Sequence, residues 1–191
     1  MSPTLRPGFG RRVLSALLIV GCIGCDQATK RLAVDHLAGA PPREYLGGTV
    51  RIVYAENRGA FLGLGGDWSE RARITVFVVL TGAILAWATW ALLRRRDASA
   101  LERLGLLLLV GGGAGNLIDR VRLGYVVDFM NLGLGPVRTG IFNVADVVLM
   151  IGLAALVLAP RTRSPLDATL SAAQAPRGTV EPPPRHRSPR Q

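Results

Sequence analysis

A stretch of 20 residues without a charged side chain, at positions 74–93, limits what this chain can fold into. At about 1.5 Å per residue, a helix of that length crosses the roughly 30 Å hydrocarbon core of a bilayer. Residues 104–118 and 141–159 are two further apolar segments, and a fourth begins at Val13 and extends to about Leu37. The pattern predicts an all-α integral membrane protein with four transmembrane helices.

Arginines set the expected orientation of these helices. They precede the first segment, flank the turn between the second and third, and follow the fourth, which are the cytoplasmic positions under the positive-inside rule. They are Arg6, Arg11, Arg12, Arg94, Arg95, Arg96, Arg103, Arg161 and Arg163. We therefore expect both termini in the cytoplasm. The formal net charge of +10 is then explained by topology and by contact with membrane lipids, and nucleic-acid binding is not expected.

The chain divides into three parts by composition. Residues 1–12 form a basic cytoplasmic lead, residues 13–159 a four-helix membrane domain with outer loops at 38–73 and 119–140, and residues 160–191 an Arg/Pro-rich cytoplasmic tail expected to be disordered. In the first outer loop, Val50, Ile52 and Tyr54 alternate with Arg51 and Val53. This alternation predicts a small amphipathic β-sheet on the outer membrane surface.

Five short polar clusters lie beside the apolar segments. They are Asp26 and Lys30 in CDQATK, Asn57 and Gly59 in ENRGAF, Asn116, Asp119 and Arg120 in GNLIDR, Asp128 in GYVVDFMN, and Asn143 and Asp146 in FNVAD. Lys30 is the only lysine in the chain, which argues against an ordinary surface ion pair with Asp26. In the expected orientation all five clusters fall at or just beyond the outer membrane surface. Such convergence of polar groups in an apolar setting is typical of an active site.

Several chemistries are disfavoured by the residues present. His36 and His186 are the only histidines, one near the end of the first helix and one in the tail. Ser/His and Cys/His catalysis and His-ligated metal sites are therefore not expected. Cys22 and Cys25 lie inside an apolar helix without a second pair, so we expect them to pack against a neighbouring helix. No metal or cofactor is expected.

Carboxylates remain as the candidate catalytic groups. Two aspartates that share one proton can activate a water, one acting as general base while the other donates to the carbonyl oxygen. Asp128 and Asp146 are the favoured pair, because each lies in an apolar frame near the membrane, which keeps one carboxyl protonated. Asp119 is the rival carboxylate, and its position on a helix face favours a structural role.

The five motifs, in this order among four apolar segments, resemble those of the lipoprotein signal peptidases (signal peptidase II) over residues 13–159. The resemblance implies an aspartic endopeptidase of the bacterial cytoplasmic membrane, with its active site at the outer face. Its substrates would be prolipoproteins, cut just before a diacylglyceryl-modified cysteine. It also implies a catalytic pair at Asp128 and Asp146. The residues expected to orient the substrate or support the cleft are Asn116, Arg120, Asn143, Asp26, Lys30, Asn57 and Gly59. The family commonly has a second small residue before the Phe of the Asn57 motif. Here Ala60 is followed directly by Phe61, which is a departure from that pattern.

Two other classes of protein share some of these features. A small membrane transporter or channel with interfacial carboxylates would need polar groups through the bilayer midplane. Here the segment at 74–93 has no charge and the acids gather on one side. The chain could also be a lipoprotein itself, since IVGC ending at Cys22 resembles a lipobox. Three further apolar segments and the polar clusters argue against that interpretation.

Overall fold

The computed structural model describes residues 9–59, 68–95 and 97–160. In chain order its elements are α1 (Phe9–Leu37), β1 (Arg43–Tyr45), β2 (Val50–Asn57), α2 (Glu70–Arg94), α3 (Ala100–Leu123), β3 (Val126–Leu134), β4 (Val137–Arg138) and α4 (Val144–Leu158). The Ala60–Phe61 junction and residues 161–191 of the tail, both subjects of sequence-based expectations, lie outside the described residues.

The helices present large apolar side chains outward and small or polar side chains inward. Leu17 on α1, Val79 on α2 and Met150 on α4 are all largely exposed. In contrast, α3 packs against the other three helices and buries mostly glycine, together with Asn116 and Asp119. This distribution fits helices that are surrounded by lipid and that approach one another through small residues. By length and composition α1, α2 and α3 can each cross a membrane, whereas α4 has only 15 residues.

Glycines of α3 allow α1 and α4 to approach closely. A Cβ built on Gly111 would lie 2.8 Å from the Cβ of Cys22, and one on Gly112 would lie 2.8 Å from the carbonyl oxygen of Ala145. The expected packing against a neighbouring helix is therefore confirmed for Cys22 and wrong for Cys25, which is exposed. The helix α1 also continues without a break through the lipobox-like stretch that ends at Cys22.

The predicted loop at 119–140 is wrong in its first part, because α3 continues to Leu123. Asp119 and Arg120 remain helical, and their side chains have partners inside the protein, as described below. The helix ends at Gly124, which adopts the left-handed conformation (φ 82°) and donates its N–H to the carbonyl of Arg120. The rest of the predicted loop contains the β3–β4 hairpin.

The two hairpins join into one antiparallel sheet of order β1-β2-β3-β4. Ala55 lies opposite Asp128 and Asn57 opposite Val126, so Asn57 and Asp128 project from the same face of the sheet. On the other face, Val127 and Phe129 pack with Ala33 and Leu37 of α1 in a buried cluster. This cluster attaches the sheet to the end of α1.

The small sheet is confirmed, but the in–out alternation expected along β2 is not observed. Residues 50–55 are all half-buried, and the first four residues of β3, from Val126 to Phe129, are all buried. Both faces of β3 are covered there, one by α1 and the other by the polar residues described below, which is why the exposure does not alternate.

The last helix begins three residues later than the apolar pattern predicts. Phe142 pairs with Met130 of β3, its N–H donating to the Met130 carbonyl at 2.8 Å. Asn143 then caps α4 in extended conformation, and its side chain accepts the N–H of Asp146 at 3.0 Å while its own N–H donates to the Asp146 carboxylate at 3.1 Å. This reciprocal cap fixes the start of the helix at Val144.

Candidate active site

The fold brings the five polar clusters into one connected group at one end of the helices. Asp26 and Lys30 come from α1, Asn116, Asp119 and Arg120 from α3, Asp128 from β3, and Asn143 and Asp146 from the start of α4; Asn57 and Gly59 lie at and just after the end of β2. Nine of these ten residues are joined to the side chain of another member by a hydrogen bond or an ion pair. The tenth, Arg120, donates to the backbone carbonyl of Asn116.

Lys30 is the centre of a buried ionic cluster. Its ammonium nitrogen lies 2.9 Å from carboxylate oxygens of Asp26 and of Asp119, and it donates to the side-chain oxygen of Asn116 at 2.8 Å. The three acceptors match the three hydrogens of the ammonium group. All four residues of the cluster, Lys30, Asp26, Asn116 and Asp119, are buried, and one lysine and two aspartates give it a formal net charge of −1.

The two carboxylates of this cluster also connect helices to each other and to the sheet. Asp26 accepts the backbone N–H of Ala145 at 3.0 Å, so α1 contributes to capping α4. Asp119 accepts the backbone N–H of Val127 at 3.2 Å, which fixes β3 above α3. Gly115 makes room for this arrangement, because a Cβ there would lie 2.5 Å from the Asp26 carboxylate.

Two amide side chains connect the ionic cluster to the candidate catalytic pair. Asn116 accepts from Lys30 and donates to Asp146 Oδ1 at 2.8 Å. Asn143 donates to Asn116 at 3.1 Å and to Asp128 Oδ1 at 2.6 Å. Asn143 therefore contacts both carboxylates, Asp128 through its side chain and Asp146 through its backbone N–H.

All four carboxylate oxygens of Asp128 and Asp146 accept a hydrogen bond from an amide. The fourth donor is Asn57, whose side-chain nitrogen lies 2.9 Å from Asp128 Oδ2. Within the described residues, neither carboxylate forms an ion pair with Lys or Arg. A carboxylate with no direct cationic partner gains less from being ionised than a paired one. The two carboxylates are therefore held by neutral amide donors rather than by a cation.

Burial is the main cause of an altered pKa at Asp128. The residue is 1% exposed, and this desolvation raises the pKa of its carboxyl from the usual 3.8 to about 6. The hydrogen bond from Asn57 lowers this pKa, and the negative charge of Asp146 raises it further. Asp146 is half-buried, so water has better access to it than to Asp128. The two aspartates thus differ in their exposure to water.

Two residues of the site were not singled out from the sequence. Gln27 donates to Asp119 at 2.9 Å and to the carbonyl oxygen of Gly115 at 3.2 Å. The guanidinium carbon of Arg120 lies 5.7 Å from the ring centroid of Phe77 on α2. The same ring packs against Gly59. Gln27 follows Asp26 directly in the sequence, which was a usable signal, but Phe77 lies in an uninterrupted apolar segment and carries no signal of its own.

Gly59 and Arg120 lie at the edge of the site. Gly59 adopts a positive φ of 89°, and its N–H donates to the side-chain oxygen of Asn57 at 3.0 Å, which orients that side chain toward Asp128. A Cβ on Gly59 would lie 2.5 Å from Phe77. Arg120 donates to the carbonyl oxygen of Asn116 at 3.4 Å. In the described part of the chain there is no cluster of three His, Cys, Asp or Glu side chains suited to hold a metal ion.

Comparison with known proteins gives consistent matches over the same region. A family model described as signal peptidase (SPase) II matches residues 18–160. Lipoprotein signal peptidases of Streptococcus pyogenes serotype M5 (strain Manfredo) and serotype M3 (strain SSI-1) are each 36% identical over 146 residues, which is 76% of this chain and 90% of the relative. A bacterial membrane enzyme solved by the in meso method at 1.9 Å resolution is 29% identical, with a TM-score of 0.66 over 76% of this chain and 90% of its own. A second such structure, at 2.3 Å resolution, is 26% identical, with a TM-score of 0.63 over 87% of this chain and 93% of its own.

Proposed function

The chain belongs to the signal peptidase II family, and we propose that Asp128 and Asp146 are the pair with which it cuts its substrates. It is a multi-pass membrane peptidase that removes signal peptides from prolipoproteins. One observation carries the proposal: Asn143 bridges two carboxylates that have no direct cationic partner among the described residues. The transporter alternative is not favoured, since the family and its relatives are peptidases.

Asp128 is the group that carries the shared proton and Asp146 is the general base. As the water oxygen attacks the scissile carbonyl carbon, Asp146 takes a proton from the water and Asp128 donates its proton to the carbonyl oxygen. When the C–N bond then breaks, Asp146 gives its proton to the leaving nitrogen and a hydroxyl of the gem-diol returns a proton to Asp128. The signal peptide leaves with a new carboxyl group and the mature protein with a free amino group, and the pair is restored.

The amides around the pair have distinct roles. Asn57, Asn116 and Asn143 hold the carboxylate oxygens through hydrogen bonds of 2.6–2.9 Å. Asp26, Lys30 and Asp119 keep α1, α3, β3 and α4 in register behind them. Asp119 is structural rather than catalytic, because its carboxylate is paired with the buried ammonium group of Lys30, whereas Asp128 and Asp146 have no such cationic partner among the described residues. Gly59 and Arg120 shape the edge of the cleft.

The substrate is a prolipoprotein whose cysteine already carries a diacylglyceryl group, and the cut lies just before that cysteine. Its signal helix lies among the helices, its lipid chains face the bilayer, and its scissile bond reaches the outer interface. Because enzyme and substrate share one membrane, the encounter costs less entropy than it would in solution.

The topology consists of four spans with both termini cytoplasmic and the active site at the outer face. At about 1.5 Å per residue α4 is only about 22 Å long, so the residues that precede it, which carry the cap at Asn143, complete its path across the outer interface.

Labelling with a membrane-impermeant maleimide in whole cells tests the orientation, in a background with Cys22 and Cys25 replaced by Ala. Glu44→Cys, between α1 and α2, should react, and Asp97→Cys, between α2 and α3, should not; the opposite pattern would invert the topology.

The pH dependence of cleavage tests the assignment of the proton to Asp128. Its pKa is raised above the ordinary value to about 6, so the protonated form is lost as the pH rises through about 6. We expect kcat/KM of the free enzyme to fall about tenfold per pH unit above that point. Asn57→Ala removes a hydrogen bond that stabilises the ionised form, and should therefore move this decline to higher pH, whatever it does to the maximal rate.

Thr49→Ala, in the turn before β2 and away from Asp128, is the matched control and should leave the position of the decline unchanged. A profile with no decline above pH 6, or a decline that moves to lower pH in Asn57→Ala, would show that Asp128 is not the proton donor.

A further inference from the structure

A cavity of about 290 Å³ lies between the C-terminal ends of α1 and α3. Lys30 and Asp119 form its inner wall, and Val127 of β3 contributes to its lining as well. Neither Asp128 nor Asp146 lines it. The peptidase mechanism therefore leaves this cavity without a role.

Three charged residues stand at the mouth of the cavity. Arg31 and Asp35 are four residues apart on α1 with 4.0 Å between their charged groups, and their side chains are 82% and 55% exposed. Arg122 of α3 is also exposed and forms no ion pair within the described residues. The mouth thus carries two guanidinium groups and one carboxylate, a net charge of +1.

The exposed charges fix the depth at which the cavity opens. Charged side chains are costly in the hydrocarbon region, so on helices long enough to span a membrane they mark the headgroup layer. Beside them, Val34 and Leu123 also line the cavity and are 40% and 47% exposed. A ligand at this position would meet two guanidinium groups at one end and apolar side chains at the other.

We propose that the cavity is a binding site for an anionic phospholipid. Its phosphodiester lies between Arg31 and Arg122, which can each donate two parallel hydrogen bonds to phosphate oxygens, and one acyl chain follows Val34 and Leu123. Basic pockets between transmembrane helices bind such headgroups on the cytoplasmic side of membranes, and this cavity offers the same kind of groups at the outer face. The apolar rim distinguishes a lipid from free phosphate.

Native mass spectrometry of the delipidated, full-length protein tests this site. Phosphatidylglycerol should be retained more strongly than zwitterionic phosphatidylcholine at equal concentration. Arg31→Gln with Arg122→Gln should weaken retention of phosphatidylglycerol about 25-fold, at about fivefold for each arginine. Asp35→Asn removes the one carboxylate at the mouth and should strengthen retention. Arg71→Gln, an exposed arginine outside the cavity, should leave it unchanged.

Three results would overturn the proposal. The first is equal retention of phosphatidylglycerol by the wild type and the double variant, and the second is an equal loss in Arg71→Gln, which would indicate surface charge in general. The third comes from adding inorganic phosphate as competitor. If millimolar phosphate displaces the lipid, the cavity recognises free phosphate and the apolar rim has no role.

Discussion

Replacing Asp146 by Asn should lower kcat for prolipoprotein cleavage by about 10²–10⁴-fold, the usual contribution of a positioned acid or base. The carboxamide keeps the shape of the side chain but cannot take a proton from water. Asp128→Asn should lower kcat to a similar extent, because it removes the proton that is donated to the carbonyl oxygen. KM should change little, since neither substitution alters the volume of the cleft.

The same substitutions carry a structural cost that has to be separated from the catalytic one. Asp128 accepts an amide N–H on each of its two oxygens, from Asn143 and from Asn57, whereas an Asn side chain offers only one oxygen. One donor then loses its partner, at a cost of about 1–3 kcal/mol of folding free energy. Thermal unfolding in detergent measures that loss independently of activity. Asp97→Asn, at an exposed position in the turn between α2 and α3, controls for the loss of a carboxylate and should retain both activity and stability.

Lys30→Met should have the largest effect on stability. It leaves the buried carboxylates of Asp26 and Asp119 without their cation, and removing one partner of a buried pair typically costs about 3–5 kcal/mol. Thermal unfolding of the purified protein in detergent should show a clear decrease in midpoint. Arg31→Met removes a positive charge from the next residue of α1, where the side chain is 82% exposed, and should have little effect.

A compensated variant distinguishes lost charge balance from lost packing. Asp26→Asn and Asp119→Asn remove both carboxylates, so adding them to Lys30→Met should recover part of the lost stability. If Lys30→Met alone unfolds at the wild-type temperature, the ionic cluster is not what holds α1, α3 and α4 together. If the compensated variant is less stable than Lys30→Met, the loss is one of packing and hydrogen bonds rather than of charge.

The sequence predicted the membrane character of the fold and most members of the candidate site because both signals are local. The charge-free segment at 74–93 is long enough to cross the bilayer, and it forms the interior of α2. Each polar cluster is visible as a break in an apolar context. The expectation that the clusters lie close together followed from their placement at one end of the expected helices, and the hydrogen bonds from Asn116 and Asn143 join them.

Element boundaries near the site were harder to predict, because distant partners determine them. Asp119 looked like the start of a loop, yet it is helical since its partner Lys30 comes from another helix, 89 positions earlier in the chain. The apolar segment at 141–159 gave no sign that Asn143 would cap α4 and leave Ile141 and Phe142 outside it. The alternation along β2 also failed as a guide to exposure, because coverage of a sheet depends on what packs against each face.

The most direct test is cleavage of a diacylglyceryl-modified prolipoprotein by the purified full-length protein in detergent, with the products identified by mass spectrometry. We predict that the wild type cuts just before the lipidated cysteine and that folded Asp128→Asn and Asp146→Asn yield almost no product. If either folded variant cleaves at a rate comparable to that of the wild type, then Asp128 and Asp146 are not the catalytic pair.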